Sequence, residues 1–312
     1  MDLEEKKVLL SRKNVFKHWR DKEWWYTGIH DRVSKIYFSF FFARVNATDH
    51  FAFTLFDYGS KSEIILSFQK NLFLDHTQLK DSLDLGYHSK DLVIEYSGNE
   101  KAGWKFKFSN DKYNIDLALN PTTPYFTKYD NNFKNNYTLL HFFHNEVNGT
   151  IQTPEKSYTI AKALCYYDHC FGRVPRSSGW HWLAVQNEDT ALASLINYGP
   201  YAQKYTQAYF KKNQENLMLN QWIRMSQEVS FECNPERKTN SKWHITSVDM
   251  DLTVTPIMHI CNINKIPPLL PLLVNITHYE FFVKASGKMR VDDTWLEVEN
   301  LYGVMEEHFG EW

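Results

Sequence analysis

The sequence predicts an all-β protein of antiparallel barrels or sandwiches, built as two units, with a few short helices. Three observations carry this. Aromatic residues are abundant, at 10 Trp, 18 Tyr and 22 Phe against 12 Gly, and aromatics suit pleated, half-buried surfaces. Short apolar runs recur at even spacing along most of the chain. The length of 312 residues suits two units of ordinary size.

Residues 3–20 form a rough apolar stripe of Val8, Leu9, Val15, Phe16 and Trp19, which predicts a short amphipathic helix. Strand signals follow. KIYFSFFFARV (35–45) has the character of a well-buried strand, and FAFTLFDY (51–58) and EIILSFQ (63–69) succeed it at hairpin spacing. DLVIEYS (91–97), WKFKFS (104–109) and YNIDLAL (113–119) continue the meander. In WKFKF the period is two, so Trp104, Phe106 and Phe108 face one way and Lys105 and Lys107 the other. The polar stretch 120–136 breaks the rhythm, YTLLHFF (137–143) resumes it, and NGT (148–150) signals a tight turn. A boundary is expected within 145–160, giving a first unit of 1–150 and a second of 151–312. The second unit repeats the pattern from SYTIAKALCYY to TWLEVENLYGVMEE, with one further helix expected over 211–224.

The formal net charge is −2, which gives no general attraction to nucleic acid or an anionic membrane surface. Four scattered cysteines, Cys165, Cys170, Cys233 and Cys261, read as reduced thiols. The N-terminus is charged and lacks a signal-peptide apolar core. The one greasy run, 266–274, is short and interrupted by prolines. A cytoplasmic location is therefore expected, with no integral membrane segment. HExxH, Gly-rich phosphate loops and GxSxG are absent, so no cofactor or metal is expected. His141 and His144, three apart on a strand, would point to opposite faces.

Three clusters are candidates for chemistry. The first is EWWYTG, Glu23 to Gly28; on a strand Trp24 and Tyr26 face one way and Trp25 the other. The second is YYDHCFGRVPRSSGWHWLAVQ, Tyr166 to Gln186. Tyr166 and Asp168 share a face there, while His169 points away from it; Trp180 and Trp182 share a face, with His181 opposite. A carboxyl facing an aromatic-walled cavity is held neutral by desolvation and becomes a proton donor, and π faces stabilise a developing cation. The competing reading makes Asp168 a structural partner of Arg173 or Arg176, and the tryptophans plain core. The third cluster, LYGVMEEHFGEW, carries Glu306, Glu307 and His308, read as a solvated chain end.

Taken together, EWWYTG before an aromatic strand, then YxDHxxG and GWxWxxxQ, resemble the AttH/carotenoid 1,2-hydratase (hydroxyneurosporene synthase) family. Order and spacing match over most of the chain. The resemblance implies two tandem lipocalin-like antiparallel β barrels and an apolar pocket near their junction. It also implies, on the matching residues, that Asp168 with Tyr166 protonates an isoprenoid double bond, as in the hydratase branch; related fungal members are cyclases on polyketide-derived substrates. His181 stands where many relatives carry Asp, and Glu306 matches a family glutamate loosely. Catalytic candidates are thus Asp168 and Tyr166. Ligand-binding candidates are Trp24, Trp25, Tyr26, His169, Trp180, Trp182 and Glu306. Three functions compete: acid catalysis on an apolar small molecule, non-catalytic binding of one, and a scaffold with filled barrels.

Overall fold

A computed structural model describes residues 21–45, 48–60, 66–72, 75–79, 82–122, 126–131, 137–175, 177–198, 204–211, 221–265 and 275–311. The expected helix 3–20, residues 212–220 of the expected second helix, the run 266–274 and Arg176 lie outside these. Among the described residues there is no helix, and so none long and apolar enough to cross a membrane.

Two antiparallel sheets make up the described structure. The strands of the first are β1 (Lys22–Asp31), β2 (Ile36–Val45), β3 (Thr48–Asp57), β4 (Leu66–Leu72), β5 (Asp75–Leu79), β6 (Ser82–Ser89), β7 (Leu92–Asn99), β8 (Gly103–Asn110), β9 (Asn114–Asn120), β10 (Phe126–Asn131), β11 (Tyr137–Gln152) and β12 (Ser157–Gly172). They run in the order β4-β3-β2-β1-β12-β11-β9-β8-β7-β6-β5, with β10 also on β11. The second sheet holds β13 (Ser177–Gln186), β14 (Thr190–Tyr198), β15 (Lys204–Phe210), β16 (Trp222–Arg224), β17 (Ser230–Glu232), β18 (Trp243–Ser247), β19 (Met250–Lys265), β20 (Asn275–Val291) and β21 (Thr294–Glu311). Its order is β16-β15-β14-β13-β21-β20-β19-β18-β17. Each sheet curls into a half-barrel around its own apolar cluster, which establishes the all-β, tandem lipocalin-like architecture.

Period-two alternation explains the first core. Phe38, Phe40 and Phe42 point inward from β2, and Trp104, Phe106 and Phe108 from β8, while Lys105 and Lys107 are exposed. The Phe40 and Phe106 rings stack at 4.1 Å. Burying each such ring contributes about 1.5–3 kcal/mol. The second core is aliphatic, drawn from Leu183, Val185, Leu252, Val283 and Met305, with Trp243 as its large ring.

Three local expectations differ from what is observed. NGT does not turn the chain: Gly149, at φ +144°, sits at a register shift within β11, so its left-handed freedom serves a bulge. Part of the expected helix 211–224 is instead the short strand β16, which pairs with β15. The chain divides into one unit ending at Val174 and another beginning at Pro175. β12 lies between β1 and β11, so a second unit starting at 151 would take a central strand out of the first sheet.

Candidate functional site

β12 carries Asp168 on the face of the first sheet turned away from the aromatic core. In register, Tyr26 of β1 lies opposite Asp168 on one side and His141 of β11 on the other. Cross-strand partners share a face, and Tyr166, two residues before Asp168, shares it too. The Tyr166 phenol donates to Asp168 Oδ2 at 2.7 Å. His141 Nδ1 lies 3.0 Å from the same phenol oxygen. Burial pushes the His141 imidazole down to about 3, so it is neutral near pH 7. With the phenol's single proton committed to the carboxylate, His141 Nδ1–H donates to the phenol oxygen. A bulge between Phe142 and Asn145, with His144 at φ +55°, interrupts the regular pairing just beyond His141, and the pairing resumes at Asn145 opposite Cys165.

Aromatic rings surround this chain of hydrogen bonds. Phe143 packs 4.7 Å from the Tyr166 ring, and Tyr26 lies 6.4 Å from it. The Tyr26 and Tyr37 hydroxyls are 2.8 Å apart. Gly28 makes that possible, because a Cβ there would run into the Tyr37 phenol. Gly172, which closes the DHxxG motif, has φ +126°, a conformation that favours glycine. Lys22, on the Tyr26 face of β1, is buried; desolvation lowers its ammonium to about 7 against the opposing pull of Cys170.

Two further candidates of this sheet, Trp25 and His169, lie on the opposite face. His169 Nε2 is 2.7 Å from Glu23 Oε1, with both side chains buried. Trp25 stacks on the His169 ring at 4.0 Å and belongs to the core. So EWWYTG has two different faces, as its period predicts: Trp25 packs, whereas Tyr26 and the half-buried Trp24 lie on the Asp168 side. Arg173 approaches Asp21 at 3.7 Å.

In the second sheet, Trp182 is opposite Glu306 in register and Trp180 opposite His308. Trp180 Nε1 donates to Glu306 Oε2 at 3.0 Å, and its ring stacks on His308 at 3.8 Å. Burial pushes the Glu306 carboxyl up to about 7 against that hydrogen bond. The EEH segment is therefore not a solvated end: β21 runs between β13 and β20, and Glu307 and His308 are buried. Sequence reasoning weighed His141 only as a metal ligand and missed its contact with Tyr166; the signal that finds it is the β11–β12 register. Among the described residues no group of three His, Cys, Asp or Glu side chains stands together as a metal site.

Two curled antiparallel half-barrels in tandem, one with a buried phenol–carboxyl pair, define an all-β protein of lipocalin-like fold. The chain belongs to the DUF2804 family, a domain of unknown function, which matches residues 4–312. Its fold is similar to that of an AttH-like protein from Nitrosomonas europaea, at 13% identity and TM-score 0.61, covering 95% of this chain and 94% of that one. Kievitone hydratase from Nectria haematococca is similar over 92% of this chain and 88% of that one, at 10% identity and TM-score 0.56. CghA, in a structure with Sch210972, aligns over 93% of this chain and 88% of its own at 7% identity and TM-score 0.61. No curated protein matches.

Proposed function

We propose that the chain binds an apolar small molecule, isoprenoid, lipid or polyketide-like, and that Asp168 protonates it. The fold does not select a reaction by itself. The observation that carries this reading is the hydrogen bond from Tyr166 to Asp168 Oδ2 at 2.7 Å, backed by a neutral His141. With Oδ2 occupied as an acceptor, a proton on Asp168 resides on Oδ1. Transfer of that proton to a double bond leaves a carbocation on the ligand and a carboxylate whose charge the Tyr166 hydrogen bond stabilises. Tyr26 and Trp24 lie on the same face as Asp168 to meet the cation. Water adding to it and returning a proton to the Asp168 carboxylate completes a hydration; a second double bond attacking it moves the cation, and loss of a proton to the same carboxylate completes a cyclisation. Trp25 and His169 support the strand from behind. The names of kievitone hydratase and of CghA with Sch210972 support small-molecule chemistry on this fold.

The full burial of His141, Tyr166 and Asp168 also favours a second reading, a non-catalytic binder in which the three are structural. Native mass spectrometry of the freshly purified protein, followed by denaturation and identification of any released compound, should yield a stoichiometric apolar passenger. Asp168→Asn should keep the passenger and lose turnover of it. A folded Asp168→Asn chain with full turnover rules out the acid role. Loss of stability, with no turnover by either protein, selects the binder.

A further inference from the structure

The inward face of β13, β14 and β21 carries another chain of hydrogen bonds, separate from Asp168. His181 lies opposite Glu307 in the β13–β21 register, and Tyr198 lies two residues beyond Ile196, the β14 partner of His181. The three side chains are therefore neighbours on one face. His181 Nε2 is 3.2 Å from Glu307 Oε2, and His181 Nδ1 is 2.5 Å from the Tyr198 phenol oxygen. Lys238 holds the other oxygen of Glu307. Burial works to raise the Glu307 carboxyl, but hydrogen bonds and charge from His181 and Lys238 outweigh it and hold the group below the ordinary carboxylate range.

These contacts set the direction of each proton. A carboxylate only accepts, so His181 Nε2 carries hydrogen, and in the uncharged form of the ring Nδ1 is the acceptor that faces the Tyr198 O–H. The imidazole is enclosed by Phe231 at 5.2 Å, Trp243 at 5.8 Å and Phe309 at 5.9 Å. Trp243 Nε1 in turn donates to the Lys238 carbonyl and fixes that segment. Exposure rises along the chain: Glu307 and His181 are each 9% exposed, Tyr198 is 42% and the adjoining Phe309 43%. The Tyr198 and Phe309 rings lie 5.6 Å apart.

The geometry points to a second site, in which Glu307, His181 and Tyr198 form a proton relay ending at the Tyr198 phenol. It takes a planar, uncharged aryl or conjugated small molecule against Tyr198 and Phe309. Tyr198 accepts a proton from an acidic C–H or O–H of that molecule as its own proton passes to His181 Nδ1. Glu307 stabilises the resulting imidazolium, and return of both protons restores the site with no other reactant. Burial, and then the charge of Glu307, raise the Tyr198 phenol above its ordinary value. It therefore keeps its proton at neutral pH and depends on His181 to act. The site stands whether or not Asp168 is an acid.

Benzenesulfonyl fluoride tests the relay on the full chain, with labelling of each tyrosine followed by peptide mass spectrometry. The Tyr198 O–S bond forms, the S–F bond breaks, fluoride leaves and the phenol proton goes to His181. Tyr198 should be the first tyrosine labelled, roughly tenfold or more faster than free N-acetyltyrosinamide. His181→Phe and Glu307→Gln, each with native near-ultraviolet circular dichroism, should bring that rate down toward the free amide's. A Tyr198 rate in the unaltered protein no higher than that of the free amide overturns the relay, whatever the variants do. A folded His181→Phe chain labelled at the unaltered rate overturns it as well. N-phenylnaphthylamine, a neutral planar probe, should slow the labelling of Tyr198; an unchanged rate with excess probe overturns the ligand class.

Discussion

In the first sheet an imidazole, a phenol and a carboxylate are linked in the order His141–Tyr166–Asp168; in the second the same three groups are linked as Tyr198–His181–Glu307. The order decides what each chain can do. With the phenol in the middle, its one proton points at Asp168, and the neutral imidazole behind it serves as a fixed donor. That chain is buried throughout and holds a carboxyl in one orientation. With the imidazole in the middle, both ring nitrogens are engaged, and a buried carboxylate is connected to an exposed phenol. The first arrangement fixes a buried carboxyl, as the proposed acid requires, and the second links a buried carboxylate to a surface phenol, as the proposed relay requires.

The largest effect that tests this contrast lies behind the first chain. Trp25→Ala should lower unfolding free energy by about 3–5 kcal/mol, since it opens a cavity against His169. The half-buried Trp24 should lose about 1 kcal/mol on the same change. Equal losses in urea unfolding would remove the distinction between a packing face and a ligand face in EWWYTG.

Next in size is the middle and end phenol pair. Tyr166→Phe takes away one acceptor and one donor inside a buried chain, so about 1–3 kcal/mol of stability should go. Tyr198→Phe ends its chain at the surface, where water replaces the lost partner, and should cost about 0.5–1 kcal/mol. Chemical denaturation of both variants compares them directly; a larger loss at Tyr198 would reverse the assignment of buried and open chains.

The remaining tests are of pH dependence, and the two have opposite signs. His141 is held at about 3 in the folded protein, against about 6.5 when unfolded. Between those values the unfolded chain binds more protons, so this histidine's contribution to stability is full above the unfolded value and is lost as the pH falls toward 3. Glu306 is held at about 7 when folded, against about 4.3 unfolded. Between those values the folded chain binds more protons, so stability contributed by neutral Glu306 is present at low pH and fades as the pH rises through 7. His141→Gln should flatten the acid side of the stability profile, and Glu306→Gln the stretch approaching neutrality. A Glu306→Gln profile unchanged between pH 5 and 8 would place that carboxyl among ordinary glutamates.

Much of this was readable from residue spacing. Trp25 opposite Tyr26, Tyr166 beside Asp168, His169 behind them, and Trp104, Phe106 and Phe108 inward all follow from period two alone, because a strand's faces alternate whatever surrounds it. Spacing failed where one local signal serves two purposes. Asn-Gly in NGT fits a turn or a bulge, and only the pairing of β11 with β9 and β12 selects the bulge. The acidic EEH segment resembled a solvated end until β13 and β20 were found on either side of it.

By itself, then, the sequence determined strand content, the face each ring takes and the family, since these depend on local periodicity and on motifs within short segments. Which groups meet was decided by the tertiary structure. Glu23 reaches His169, His141 reaches Tyr166, and His181 reaches Glu307, over sequence separations of 146, 25 and 126 residues. Such meetings depend on strand order and register, and a slip of one residue would turn every partner to the other face.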